Sequence, residues 1–198
     1  MNEKAASLAA VVFGRRGMLL ALPAVALAAL GKPSAFSIAA GLPLAFTGEA
    51  IRAWAVGYSG VTTRANVVTA PKLVTAGPYA YVRNPLYVGN FVTAAGFAIA
   101  FTGANAPLAR AAVVSAALGV MAAVYAVIIP HEEAFLRETF GDEFDAYVAR
   151  VPRVFPALEP AAEQAGSYDP SVIGRAESRT FITFGAMLAV LALKALQT

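Results

Sequence analysis

Long charge-free stretches separated by short polar breaks dominate this chain. They cover residues 17–31 between Arg16 and Lys32, and 33–48 before Glu49 with continuation through Trp54. Three more follow: 84–109 between Arg83 and Arg110, 111–130 before His131, and 180–193 before Lys194. The stem of Lys194 can snorkel, which lets the last stretch run to the terminus. A helix that crosses a bilayer needs about 20 apolar residues. The third and fourth stretches reach that length directly. The first two are shorter and contain Pro23, Pro33 and Pro43, so their ends are the least defined. The pattern predicts an all-α, polytopic membrane helical bundle of about five transmembrane helices, forming a single domain over residues 1–198. The run "GRRGMLLALPAVALAAL" is also similar to a signal peptide. Its removal would leave four spans.

Five spans place the N-terminus and the loops at 55–85 and 131–179 on one side. Of the 15 basic residues, all but Lys32, Arg110 and Lys194 fall on that side. The positive-inside rule makes it the cytoplasmic one. Composition agrees: 59% of the 198 residues are hydrophobic, only 14% are charged, and the mean hydropathy is +0.64. Soluble domains carry about 25% charged residues. The net charge of +3 is therefore an orientation signal, and no nucleic-acid partner is expected. The absence of cysteine excludes disulfides and thiol nucleophiles. A single histidine excludes multi-histidine metal sites.

Polar chemistry concentrates in the two loops. The first ends in "GPYAYVRNPLYVG", residues 77–89. Gly77-Pro78 signals a turn. Pro85 disfavours helical geometry at Asn84 and itself fits the first turn of the next helix. The free amides expected near Leu86 and Tyr87, with Arg83 alongside, suit a carboxylate. Gly89 allows a flat group to approach the backbone. An interfacial aromatic belt accounts for Tyr79, Tyr81 and Tyr87 taken singly, but not for their compact order with Gly, Pro, Arg and Asn. In the second loop, Pro130 is expected to start a new helix with Glu132 and Glu133 in its first turn. Helix-end electrostatics is an alternative account of that acidic pair. Gly141 ends the helix. Phe144, Tyr147, Val148 and Val151 then form a one-faced stripe that either lies on the membrane or lids a site. His131 reads as structural, and residues 157–178 read as linker.

Together, "KLVTAGPYAYVRNPLYVGN" and "EEAFLRETFGDEFDAYVARVPRVFP", joined by one helical hairpin, resemble the integral-membrane methyltransferases of the isoprenylcysteine carboxyl methyltransferase and phospholipid methyltransferase families. The resemblance covers residues 70–156. It implies an enzyme that binds S-adenosylmethionine in a site built from the two loops and methylates a lipophilic or lipid acceptor (amine, thiol or carboxylate) arriving from the bilayer. It implies cofactor contacts from Leu73, Val74, Gly77, Pro78, Tyr79, Arg83, Asn84, Pro85, Tyr87, Gly89 and Glu132. Glu132, Glu133 and Arg83 would be the catalytic residues. In the second motif the match also takes in Leu136, Phe140, Gly141, Tyr147, Arg150 and Pro152.

Two departures matter. Asn84 stands where the family often has histidine, so hydrogen bonding survives without a titratable ring. Val127, Ile128 and Ile129 occupy the place of an arginine that suits a carboxylate acceptor, so isoprenylcysteine is the less suited substrate. An NADPH-dependent membrane reductase and a non-catalytic membrane scaffold are the alternatives. The helix over 180–198 lies beyond the motifs and has no role assigned by them.

Overall fold

A computed structural model describes residues 3–60 and 70–197, with side chains from residue 10 onward. Arg64, counted above among the basic residues of the first loop, lies outside the described residues. Seven α-helices appear among those described: α1 Glu3–Leu30, α2 Ala35–Ser59, α3 Pro85–Thr102, α4 Pro107–Phe140, α5 Asp142–Arg150, α6 Ile173–Ala176 and α7 Ser178–Ala195. No strand occurs among the described residues. The all-α bundle is as expected.

Among the described residues, four helices are long and apolar enough to cross a membrane: α1 from Ala10 onward, α3, α4 and α7. The expected second span falls on α2. With 25 residues it is long enough, but Glu49, Arg52 and its small polar residues keep it off that set. The element ends correct the sequence reading in three places. Helix α1 begins well before Arg15 and Arg16, because charges mark a membrane boundary and do not stop a helix. The α3–α4 turn sits at residues 103–106, ahead of Arg110. Helix α4 also runs unbroken through Pro130, where a new helix was expected. Proline costs one intrahelical hydrogen bond. Buried Ile128, Ile129 and Glu133 on either side hold the two halves in line. At 34 residues, α4 is roughly 50 Å long, so it outreaches a hydrocarbon core of about 30 Å.

Local chemistry sets several ends as read. Pro85 occupies the first turn of α3. Gly141 breaks the chain after α4 at φ 52°, a left-handed value that glycine adopts without strain. Ser34 caps α2 in a reciprocal box with Ser37: the Ser34 amide donates to Ser37 Oγ over 3.0 Å, and the Ser37 amide donates to Ser34 Oγ over 3.2 Å.

Helices α2 and α3 pack antiparallel at very short range. A Cβ on Gly96 would lie 2.7 Å from the Gly41 carbonyl oxygen and 2.7 Å from Ala45 Cα. A Cβ on Gly89 would lie 2.7 Å from Arg52 Cγ and 2.8 Å from the Gly48 oxygen. Small residues let two backbones meet in this way. Helices α1 and α4 pair on the other flank through Phe13, Met121, Val124, Tyr125 and Ile128. Helix α7 joins through Phe184, Met187 and Leu191, packed with Leu27, Phe97 and Phe101.

The two ends of the bundle differ. At one end Asn105 ties the α3–α4 turn to the α1–α2 turn, accepting from the Lys32 amide over 2.7 Å and donating to the Leu30 carbonyl over 2.9 Å. Lys194 near the end of α7 donates to the Gly31 carbonyl over 3.0 Å. The opposite end carries the two long loops.

Candidate functional site

The 70–84 segment and the region after α4 meet at that loop-bearing end. Gly77–Ala80 forms one 3-10 turn, with Gly77 at φ 62°. Any side chain on Gly77 would strike the Tyr58 ring. Pro78 and Ala80 of this turn are buried, and Tyr79 and Tyr81 are partly buried. Helix α5 folds back over this segment. Its stripe residues Phe144, Tyr147 and Val151 close on Leu73 in one small core, so the stripe is a cover over the loop and not a membrane-facing strip. The Tyr147 hydroxyl donates to the Tyr79 carbonyl over 2.8 Å. Burial pushes the Tyr79 phenol up to about 12. Burial, with Tyr79 alongside, pushes Tyr147 up as well. Both phenols are hydrogen-bonding groups, not acids, at neutral pH.

Arg83 knots the two loops together. Its Nε and Nη2 each lie 3.0 Å from Glu133 Oε1. Its Nη1 donates to the Val151 carbonyl over 2.6 Å and to the Val148 carbonyl over 3.3 Å. These are carbonyls at the C-terminal end of α5, where a cation suits the helix dipole. Arg153 approaches Glu133 from the solvent side, with Nη2 2.6 Å and Nε 3.1 Å from Oε2. Glu133 and Arg83 are nearly buried, at 7% and 9% side-chain exposure, while Arg153 is 51% exposed. Asn84 donates to the Arg153 carbonyl over 3.0 Å. Glu132, one residue along α4, accepts from the Tyr87 hydroxyl over 2.8 Å. The Tyr87 ring stacks obliquely on Tyr125, with centroids 4.5 Å apart.

The structure therefore brings Tyr79, Arg83, Asn84, Tyr87, Glu132 and Glu133 to one end of the bundle. Other expectations change on contact with the fold. The Tyr87 amide donates to the Asn84 carbonyl over 3.1 Å, because the first turn of α3 tightens, so that amide is not free for a ligand. What approaches Gly89 is helix α2, not a flat ligand. Pro85 is fully buried and Leu73 belongs to the core under α5. Val74 is half-buried, close to where a Gly166 side chain would stand. His131 sits by the Phe13 ring, centroids 6.1 Å apart.

Residues 157–169 were read as linker, and the structure corrects this. They form a strap along the first motif. The Ala157 amide donates to the Tyr81 carbonyl over 2.9 Å and the Ala161 amide to the Ala80 carbonyl over 3.0 Å. The Thr75 and Ala76 amides both donate to the Ala165 carbonyl, over 2.9 and 3.2 Å. Arg150 pairs with Glu163 across it. Small and polar residues without periodicity look like linker in one dimension. Here their backbone groups find partners on another loop.

Sequence reasoning also missed a second ionic knot. Arg52 on α2 meets Glu177, the residue before α7, through Nη2 at 2.9 and 2.8 Å and Nε at 3.2 Å. Arg52 Nη1 also donates to Asn90 Oδ1 over 2.6 Å. The side chains are 11% and 1% exposed. The available signal was a charge inside an otherwise apolar helix, which seldom persists without a partner.

A family model described as phospholipid methyltransferase matches residues 36–143, more than half of the chain. The chain belongs to the phospholipid methyltransferase family. The match begins in α2 and ends in α5, so it spans the first motif, the α3–α4 hairpin and the acidic pair. A stretch of 87 residues, 44% of the chain, is 40% identical to the nickel-cobalt-cadmium resistance protein NccN of Alcaligenes xylosoxydans xylosoxydans, covering 37% of that protein. A stretch of 123 residues, 60% of the chain, is 32% identical to a probable protein-S-isoprenylcysteine O-methyltransferase of Oryza sativa subsp. indica, covering 61% of it. A stretch of 86 residues, 43% of the chain, is 38% identical to the cobalt-zinc-cadmium resistance protein CzcN of Cupriavidus metallidurans, covering 36% of it. The matched stretches thus span less than two thirds of each of these relatives. No solved structure matches this phospholipid methyltransferase family member at a significant level.

Proposed function

We propose that this protein transfers a methyl group from S-adenosylmethionine to a lipophilic acceptor that reaches the loop-bearing end from the bilayer. The observation that carries the reading is the convergence of the two motifs: Tyr87 on Glu132, and Arg83 with Arg153 on Glu133. Family membership and four membrane-length apolar helices support the same reading.

The donor set fits the cofactor, which has cationic groups and one carboxylate. Glu132 is a half-buried carboxylate held at one oxygen by Tyr87, and it suits the cationic groups. Arg153 is half exposed and suits the carboxylate. Arg83 was expected to fill that second role, but its guanidinium is spent on Glu133 and the end of α5. It acts by positioning the two loops. When bound, the cofactor supplies an electrophilic methyl on a sulfonium. The protein's task is then to hold the reactants in line, which can be worth roughly 7–11 kcal/mol. For an amine acceptor, Glu132 takes the released proton. The strap and α5 exclude water from the first motif. The excess of basic residues at this end supports a cytoplasmic orientation of the loops.

Isothermal titration of the purified protein with S-adenosylmethionine and, separately, NADPH tests this. S-adenosylmethionine is expected to bind, and Glu132→Ala and Arg153→Ala each to weaken it at least about tenfold. Binding of NADPH in its place would make the protein a reductase.

A further inference from the structure

The chain from Pro152 to Ala161 forms an arch with fixed feet. At the first foot the Arg83 amide donates to the Pro152 carbonyl over 2.9 Å, and Asn84 Nδ2 donates to the Arg153 carbonyl over 3.0 Å. The Arg153 guanidinium reaches Glu133 Oε2 at 2.6 Å. At the second foot the Ala157 and Ala161 amides donate to the Tyr81 and Ala80 carbonyls. Pro152, Pro156 and Pro160 restrict the backbone further, because each fixes its own φ. The side chains not used in these ties are left outside. Val154 is 41% exposed, Phe155 86% and Leu158 100%. Trp54 on α2 is exposed as well, and its ring lies 6.3 Å from the Tyr81 ring. Tyr81 also holds Ala157, so these apolar side chains share one neighbourhood. Single apolar residues on a surface need no explanation, but a group of them marks an interaction site.

The depth of the arch names its partner. Its first foot stands on the ends of two membrane-length helices. Asn84 directly precedes α3, whose 18 residues extend roughly 27 Å at about 1.5 Å per residue. On α4, Arg110 and Glu133 stand roughly 35 Å apart by the same rise. A hydrocarbon core is about 30 Å thick. Arg110 at one boundary therefore puts Glu133, and Arg153 with it, at the other. Phe155 is within about 7 Å of chain from Arg153, so it lies close to that boundary too. The residue types agree. Trp and Tyr collect at headgroup level, where an apolar ring and a polar tip are both satisfied. Phe155 and Leu158 add the apolar surface typical of segments that lie in the interface. A soluble protein would have to reach this patch through the headgroups.

We propose that residues 153–158 anchor this end of the protein in the membrane surface, with Phe155 and Leu158 among the lipid headgroups and upper acyl chains and Trp54 at the same depth. The partner is lipid, and the assignment stands apart from the methyl-transfer reading. The anchor also acts on the candidate site. Arg153 belongs to the arch, so lipid contact at Phe155 holds its guanidinium over Glu133.

The chain has no cysteine and one tryptophan, which gives the test clean probes. The full chain carrying Phe155→Cys, Leu158→Cys or Glu143→Cys is labelled with bimane and placed in nanodiscs of zwitterionic lipid. Part of that lipid carries a nitroxide near the headgroup. Glu143 is exposed just past the far end of α4 and serves as the aqueous reference. Labels at 155 and 158 should be quenched by the nitroxide lipid at least about threefold more than the label at 143, and by aqueous iodide correspondingly less. In the unlabelled protein, Trp54 should be quenched more by lipid brominated near the headgroup than by lipid brominated near the chain end. In Phe155→Ser/Leu158→Ser, amide exchange over residues 153–158 should rise about tenfold. Equal lipid quenching at 143, 155 and 158 overturns the proposal. So does protection of 155 and 158 from both quenchers, because a protein partner or a second copy would then cover the patch. Stronger quenching of Trp54 from the chain ends overturns the shared depth. Unchanged amide exchange in the double variant overturns the hold on Arg153.

Discussion

Replacing Glu177 by alanine should be the most damaging single truncation at the α7 joint. Its carboxylate is 1% exposed and both oxygens face Arg52, itself only 11% exposed. Removing the carboxylate leaves a guanidinium buried among α2, α3 and α7 with Asn90 Oδ1 at 2.6 Å and the Thr180 hydroxyl at 3.4 Å as side-chain acceptors. Breaking a buried pair by deleting one partner costs about 3–5 kcal/mol. An internal comparison separates burial from simple charge loss. Arg137 and Asp145 make a pair of similar length, 2.7 Å, but at 51% and 54% exposure. Such a pair is worth about 0–1 kcal/mol. Reversible unfolding in mixed detergent micelles should therefore show Glu177→Ala shifting the unfolding constant by more than about a hundredfold, and Asp145→Ala by less than about fivefold. The double variant Arg52→Met/Glu177→Leu should recover most of the loss, because well-packed apolar side chains replace a buried pair at little cost. If Glu177→Ala and Asp145→Ala destabilise equally, burial is not what gives this pair its weight, and the account of how α7 is anchored fails.

Two other expectations concern the loops. Arg83→Lys keeps the charge but cannot reach Glu133 and the carbonyls of Val148 and Val151 together. Amide exchange across residues 142–151 should then rise about tenfold, and unchanged exchange would remove Arg83 from its positioning role. Tyr79 has a folded-state pKa raised from 10 to about 12 by burial. A raised pKa means that the folded state holds its proton more tightly. That stabilisation is complete below pH 10 and is lost as pH rises towards 12. Tyrosinate absorbance should show one fewer late-ionising phenol in Tyr79→Phe than in the wild-type protein, where Tyr147 is raised as well. An ordinary titration near 10 in both would contradict its burial.

The sequence by itself determined where most of the helices form and what stops some of them. Apolar runs of membrane length, Pro85 at a helix start and Gly141 at a helix end are local facts. Each follows from one residue's backbone freedom or from a hydrogen-bond ladder that closes within four residues. The joint presence of two motifs also pointed to the end of the bundle where Glu133 and Arg83 meet. Tertiary structure alone decided the partners. Arg83 turned inward to Glu133 because α5 folds back over the first loop, which no residue pattern states. Gly89 and Gly96 became packing sites because α2 runs antiparallel to α3. The stretch 157–169 is a strap because amides and carbonyls on another loop complete it. Arg52 and Glu177 stand 125 positions apart. Such contacts depend on which surfaces meet after the helices have formed, and helical periodicity carries no record of that choice.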